Sequence, residues 1–193
     1  LKKKITIVKS QITILTISKF QNRKNLILFM KAFNALQGKY NLKSIIVGEV
    51  STDEHRCNYN KVKSFILNHK LNKKITICKN IKYQNMNKFY KLSDLFVLAS
   101  TKEPAAISVL EAQGSGLPVI CSDTCGTRIY INSKVGKFFK DNDLNSLVKA
   151  IEYYCIRKNN FFKYSLQSYL NAEKNFSNNF YNSQFEIMKK KIT

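Results

Sequence analysis

Short apolar runs alternate with longer stretches of helical spacing along most of the chain. Ile12 to Ser18 carries an apolar run broken only by threonine and predicts a buried strand. Asn25 to Leu36 sets Leu26, Phe29, Met30, Phe33 and Leu36 on one helical face. Leu42 to Val50 is a second strand, with Gly48 near its end, and Asn60 to His69 a second helix. Lys74 to Cys78 predicts a strand, Asn85 to Leu92 a short helix, and Leu95 to Ser100 another strand. Ile107 to Ser115 is a helix closed by Gly116. Pro118 to Ser122 follows as a strand that proline can open without losing a ladder donor. Gly136 to Lys140 is a short strand, and Leu144 to Cys155 an amphipathic helix. Beyond Cys155, Asn159 to Ser177 and Asn179 to Lys190 look helical but weakly periodic, as plain surface helices or as helices that cover a further domain.

Strands that alternate with helices of this length imply βαβ units, right-handed crossovers and a parallel sheet. In such a sheet, ligands bind beyond the carboxyl ends of the strands. That rule selects the segments Ser18 to Lys24, Gly48 to Val50, Lys79 to Ile81 and Thr101 to Ser108. It singles out no glycine-rich phosphate loop, because the chain has only 6 glycines.

Composition adds little to this picture. The chain has 193 residues, a formal net charge of +21, and 44% hydrophobic residues, enough for one packed domain. The 33 basic side chains are nearly all lysine, with Arg23, Arg56, Arg128 and Arg157 the exceptions. Scattered lysines describe a solvated surface that modestly favours an anionic ligand or a membrane surface. Arginine, the usual reader of guanine edges, is scarce, which argues against nucleic acid. The 5 cysteines show no paired framework. Cys121 and Cys125 have a metal-like gap but no second Cys/His pair, so reduced thiols and a cytoplasmic setting are expected. No signal peptide is visible and no apolar run approaches about 18 residues. The histidines His55 and His69 read as surface residues, and Tyr83, Phe89 and Tyr90 as packing residues.

The chemistry concentrates in one segment. Glu103 precedes the helix that starts at Ile107, and Glu111 lies about one turn inside it. A helix start exposes unpaired N–H groups and positive dipole density. A phosphate would rest there against the amides of Ala106, Ile107 and Ser108. The two carboxylates would then grip sugar hydroxyls on either side, as charged acceptors of O–H bonds.

Glu103-Pro-Ala-Ala-Ile-Ser-Val-Leu-Glu111 resembles the E-x7-E motif of retaining GT-B glycosyltransferases of the family 4 type (group 1). Four further segments resemble that family in the same order: Lys19-Phe-Gln-Asn-Arg-Lys24, Ile45-Ile-Val-Gly-Glu49, Lys91 to Ser100, and Glu111 to Ile120. Ordered matches on a matching βα pattern carry more weight than any lone motif. The resemblance implies a Rossmann-like three-layer αβα domain with a roughly six-stranded parallel sheet. It divides the chain into a donor-binding domain over residues 1–157 and carboxy-terminal helices over 158–193 that would pack on an amino-terminal domain.

By that resemblance Glu103 binds the donor sugar, Glu111 the ribose, and Lys19 and Lys24 the diphosphate leaving group. Gly48 forms a turn at the site, and the base lies against the backbone from Lys79 to Ile81. Nucleotide sugar is the donor and a glycan or lipid-linked acceptor the second substrate. Neither a cofactor nor a metal is expected, and a peripheral contact with the inner membrane face is compatible with the charge. The family's acceptor-binding amino-terminal domain is not found in these 193 residues, so a donor half that needs a partner is expected. The sequence also departs from the pattern. Pro104-Ala105-Ala106 replaces Gly-Phe-Gly, Ser18 a glycine, Lys19 an arginine, and Ile129 stands near the place of a glutamate. These changes leave open an inactive relative or a basic binding module for anionic partners. A nucleotide-sugar epimerase of related architecture would need two similar halves.

Overall fold

The computed structural model describes residues 10–176. Six strands form one parallel sheet in the order β3-β2-β1-β4-β5-β6. They are β1 (Ile12–Ile17), β2 (Leu42–Gly48), β3 (Ile75–Lys79), β4 (Leu95–Leu98), β5 (Val119–Ser122) and β6 (Gly136–Phe139). The helices are α1 (Leu26–Leu36), α2 (Asp53–Asn68), α3 (Asn87–Lys91), α4 (Ile107–Gly114), α5 (Leu144–Ile156) and α6 (Phe161–Phe176). Asn179 to Lys190, expected to be helical, lies outside the described residues.

The inner strands are mainly apolar runs because both sheet faces are covered there. Ile12, Ile14 and Ile46 pack with α1, α2 and α5 in one core, built on Phe29, Phe33, Val62, Leu147 and Tyr154. Leu15, Val47, Phe96 and Val119 point the other way, against Phe89, Tyr90, Val109 and Ala112 of α3 and α4. The alternation of Ile14 and Leu15 along β1 thus feeds two cores through a side-chain period of two. The result is the three-layer αβα arrangement expected from the pattern.

Two elements differ from the sequence reading. Helix α2 begins at Asp53, well before Asn60. Its opening turns are polar and show no apolar face, but Thr52 caps them by accepting from the His55 amide at 3.2 Å, and Asp53 and Glu54 suit the helix dipole. His55 is therefore no surface histidine. It is only 3% exposed, with Nδ1 facing the Ser51 amide at 3.3 Å. A 3-10 turn over Gly126–Tyr130, invisible to periodicity, follows β5.

Helix α6 lies against α4. Its outer side leaves Phe162, Leu166, Tyr169 and Leu170 exposed. No helix among the described residues is long and apolar enough to cross a membrane.

Candidate functional site

The strand order reverses direction between β1 and β4, which are neighbours in the sheet. The two connections diverge there and leave a crevice at the carboxyl ends. The loop after β1 carries Lys19, Arg23 and Lys24; the loop after β4 carries Glu103. They meet directly. The Thr101 amide donates to the Arg23 carbonyl at 2.8 Å. Arg23 Nη1 donates to Glu103 Oε2 at 2.7 Å, and Lys24 Nζ reaches the same oxygen. The Glu103 side chain is 4% exposed and that of Lys24 12%, whereas Arg23 remains 46% exposed. One buried carboxylate between two cations leaves the pocket positive, which suits an anionic ligand.

The backbone around Glu103 is pinned from several sides. Lys102 sits at φ 45°, a left-handed conformation that costs a lysine energy and needs support. That support comes from Thr124, whose hydroxyl oxygen accepts from the Lys102 amide at 3.0 Å and donates to Asp141 Oδ2 at 2.9 Å. Thr101 donates to the same Asp141 oxygen at 2.6 Å. The Gly126 amide donates to the Glu103 carbonyl at 2.7 Å. A Cβ on Gly126 would stand 2.0 Å from the Pro104 carbonyl oxygen, so only glycine allows that approach.

Beyond this loop, Ala106 opens α4 and no side chain caps the helix. Ala106 is buried, Ser108 half-buried and Ile107 67% exposed. Glu111 stands further along α4, and both of its oxygens accept phenols. Tyr83 donates to Oε1 at 2.9 Å and Tyr90 to Oε2 at 2.6 Å. Burial, and then the Glu111 hydrogen bond, push the Tyr90 phenol well above its ordinary range. Tyr83, expected as a packing residue, is instead 76% exposed. A cleft of about 790 Å³ beside Glu111 is lined by Tyr83, Met86, Tyr90, Phe162 and Leu166 among others, and does not include Glu103 or Lys24.

The remaining predicted residues sit around this centre. Lys19 is not drawn to Glu103; its ammonium pairs with Glu49 at 3.1 Å, both about half-exposed. Ser51 first and Lys19 second hold the Glu49 carboxyl below its usual range. Gly48 ends β2 so close to the β1 loop that a Cβ would lie 2.5 Å from the Phe20 ring and 2.6 Å from the Ser18 carbonyl. Lys79 places its ammonium 4.8 Å over the Tyr59 ring, and Ile81 packs half-buried against the α3/α4 core. Arg23 and Tyr90 were absent from the predicted site. Arg23 lies inside the selected loop Ser18 to Lys24 and was legible there; the phenol of Tyr90 carried no distinguishing signal.

A doubly wound parallel sheet, with a basic loop and a carboxylate-bearing loop meeting at its switch point, is here the carboxy-terminal half of a GT-B fold. The chain belongs to the glycosyl transferases group 1 family, whose model matches residues 1–167. It is similar to a glycosyltransferase from Rickettsia africae, with 25% identity, a TM-score of 0.80, and coverage of 94% of this chain and 48% of that one. It also superposes on the carboxy-terminal domain of a group 1 glycosyl transferase from Francisella tularensis. That match has 18% identity and a TM-score of 0.78, and covers 86% of this chain and 87% of that domain. A 62-residue stretch is 37% identical to the Escherichia coli UDP-Gal:alpha-D-GlcNAc-diphosphoundecaprenol alpha-1,3-galactosyltransferase. This stretch is 32% of the chain and 16% of that enzyme. The chain therefore spans about half the length of the Rickettsia protein.

Proposed function

We propose that this chain binds the nucleotide-sugar donor of a retaining glycosyltransferase and supplies the donor half of a transfer to a glycan or lipid-linked acceptor. The observation that carries this reading is the buried Glu103 carboxylate held by Lys24 and Arg23 at the switch point. A hexose is the sugar that Glu103 would hold through its hydroxyls. The diphosphate would lie between Lys24 and the uncapped amides of Ile107 and Ser108, with Ala106 closing the turn beneath it. Lys19 would turn from Glu49 to the phosphates. As the glycosidic bond breaks, negative charge grows on the departing diphosphate, and fixed cations aimed at that charge lower the barrier. These lysines supply the positive charge, so the step is assigned no metal. Glu111 would take the ribose, and the backbone from Lys79 to Ile81 the base, next to the turn that Gly48 keeps tight.

The named acceptor of the Escherichia coli relative is a diphosphoundecaprenol-linked sugar, which favours a lipid-linked acceptor here. With a net charge of +21, the proposed setting is the cytoplasm, peripheral to the inner face of a membrane, with no role for nucleic acid. Acceptor contacts would come from an amino-terminal domain or a separate subunit. Calorimetric titration with UDP-, GDP- and ADP-sugars, repeated on Glu111→Ala, tests the reading. One donor class is expected to bind the wild type and to lose most of its affinity in the variant. Absence of binding by all three donors overturns it.

A further inference from the structure

The two phenols on Glu111 differ in how firmly they are held. Tyr90 is 4% exposed on α3, and its ring lies 6.4 Å from that of Phe96. Its ring is packed in the α3/α4 core, which fixes the position from which its hydroxyl meets Oε2. Tyr83 is 76% exposed and opens a single 3-10 turn, Tyr83–Asn85. The 2.9 Å bond to Oε1 is its side-chain hydrogen bond, and that bond is the first cause of its raised phenol pKa. A carboxylate receiving one O–H on each oxygen is already arranged as it would be by a neighbouring hydroxyl donor from a ligand. Only the Tyr83 position can be vacated cheaply.

We propose that Tyr83 is a displaceable latch on the ribose site: its hydroxyl holds Glu111 Oε1 until a ribose hydroxyl of the donor takes its place. The proposal rests on the donor-binding reading above and adds to it a residue that the sequence motif does not contain. Tyr90 is the fixed partner that keeps the carboxylate aimed. Binding exchanges one O–H donor for another at the same oxygen, so the latch lowers apparent affinity by holding a fraction of the sites closed. It also sets a requirement. A nucleotide without ribose hydroxyls has nothing to offer Glu111 and leaves Tyr83 in place.

Tyr83→Phe tests this, because the residue is exposed and the ring is kept. The probes are UDP, GDP and ADP with their 2′,3′-dideoxy counterparts, titrated against wild type and variant, with circular dichroism as a check on folding. Loss of one competing hydrogen bond should tighten the ribonucleoside diphosphate by about three- to tenfold. The dideoxy compound should bind both proteins alike. Equal or weaker ribonucleotide binding by Tyr83→Phe, or an equal gain for the dideoxy compound, overturns the latch while leaving the donor reading intact. If none of the ribonucleotides binds the wild type, the donor reading fails and the latch with it.

Discussion

Lys24 and Glu103 stand 79 positions apart in sequence and share an ion pair at the centre of the domain. The pairing follows from the sheet order. β1 and β4 are adjacent and parallel, with Ile14 opposite Leu95, so the loops that leave their carboxyl ends must emerge side by side. At that junction Arg23 and Lys24 share one carboxylate, which leaves positive charge available to a phosphate beside the group that would take the sugar.

Glu103→Gln should separate the two halves of donor recognition. Amide for carboxylate keeps the shape but removes the charge that Arg23 and Lys24 share. Stability should fall by about 1.5–3 kcal/mol, the usual contribution of a hydrogen bond to a charged group. Affinity for the nucleoside diphosphate should hold or rise, since both cations are then free for phosphate. The extra affinity of the nucleotide sugar over its diphosphate should vanish. Titration of both ligands against both proteins reads this; an undiminished sugar contribution would remove Glu103 from the sugar site.

Lys19→Ala and Lys24→Ala should differ in stability and agree in binding. Lys19 forms an exposed pair with Glu49, so its loss should leave stability within about 0.5 kcal/mol of wild type. Lys24 is largely buried against Glu103, and its loss should cost about 1–3 kcal/mol. Both variants should weaken nucleoside diphosphate binding, and both should flatten its salt dependence. Urea unfolding beside titration at two salt concentrations measures each effect separately. A Lys19→Ala protein that binds as the wild type does would take Lys19 out of the phosphate site.

Gly126→Ala should damage the site through backbone alone. Its Cβ would meet the Pro104 carbonyl oxygen at 2.0 Å, a backbone atom that yields only if the Glu103 loop shifts. The expected destabilisation is about 1–3 kcal/mol, with a loss of nucleotide-sugar affinity. Gly114→Ala is the control: nothing lies within 4 Å of its Cβ, and alanine suits a helix, so its melting temperature should hold or rise slightly. Equal melting curves for the two variants would contradict the assigned contact.

Much of this arrangement was legible in the sequence. The inner strands β1, β4 and β5 are short, mainly apolar runs because they are covered on both faces, and the four loop segments at the carboxyl ends follow from the parallel pattern. What stayed hidden depended on distance in sequence or on local caps. No periodicity tells that Glu103 would choose Lys24 and Arg23 while Lys19 chose Glu49, because that choice is made where the β1 and β4 loops meet. The start of α2 has no periodic signal because Asp53 to Tyr59 has no apolar face, although Thr52, Asp53 and Glu54 form a helix-start signal. His55 is buried at that helix start, where its amide donates to Thr52 and its Nδ1 meets the Ser51 amide, and no periodicity reports either contact. Tyr83 looked like a core aromatic because residue type alone does not report exposure.

The Tyr90–Glu111 bond should leave a signature in alkaline unfolding. Burial and the carboxylate hold the folded phenol well above its usual value, while the unfolded phenol ionises near the ordinary pKa of about 10. A raised folded pKa means that this contribution is fully present below about pH 10 and is lost as pH rises beyond it. Tyr90→Phe removes the titrating group from both states. At neutral pH the variant should be less stable by about 1–2 kcal/mol, because Glu111 loses a donor at the edge of a buried ring. Above pH 10 the gap should close, at up to about 1.4 kcal/mol per pH unit for one proton. Urea unfolding of both proteins from pH 8 to pH 11 measures the difference directly and cancels the other tyrosines and lysines. A gap that stays constant across that range would show that the Tyr90 phenol titrates alike in the folded and unfolded chain, and that Glu111 does not hold it.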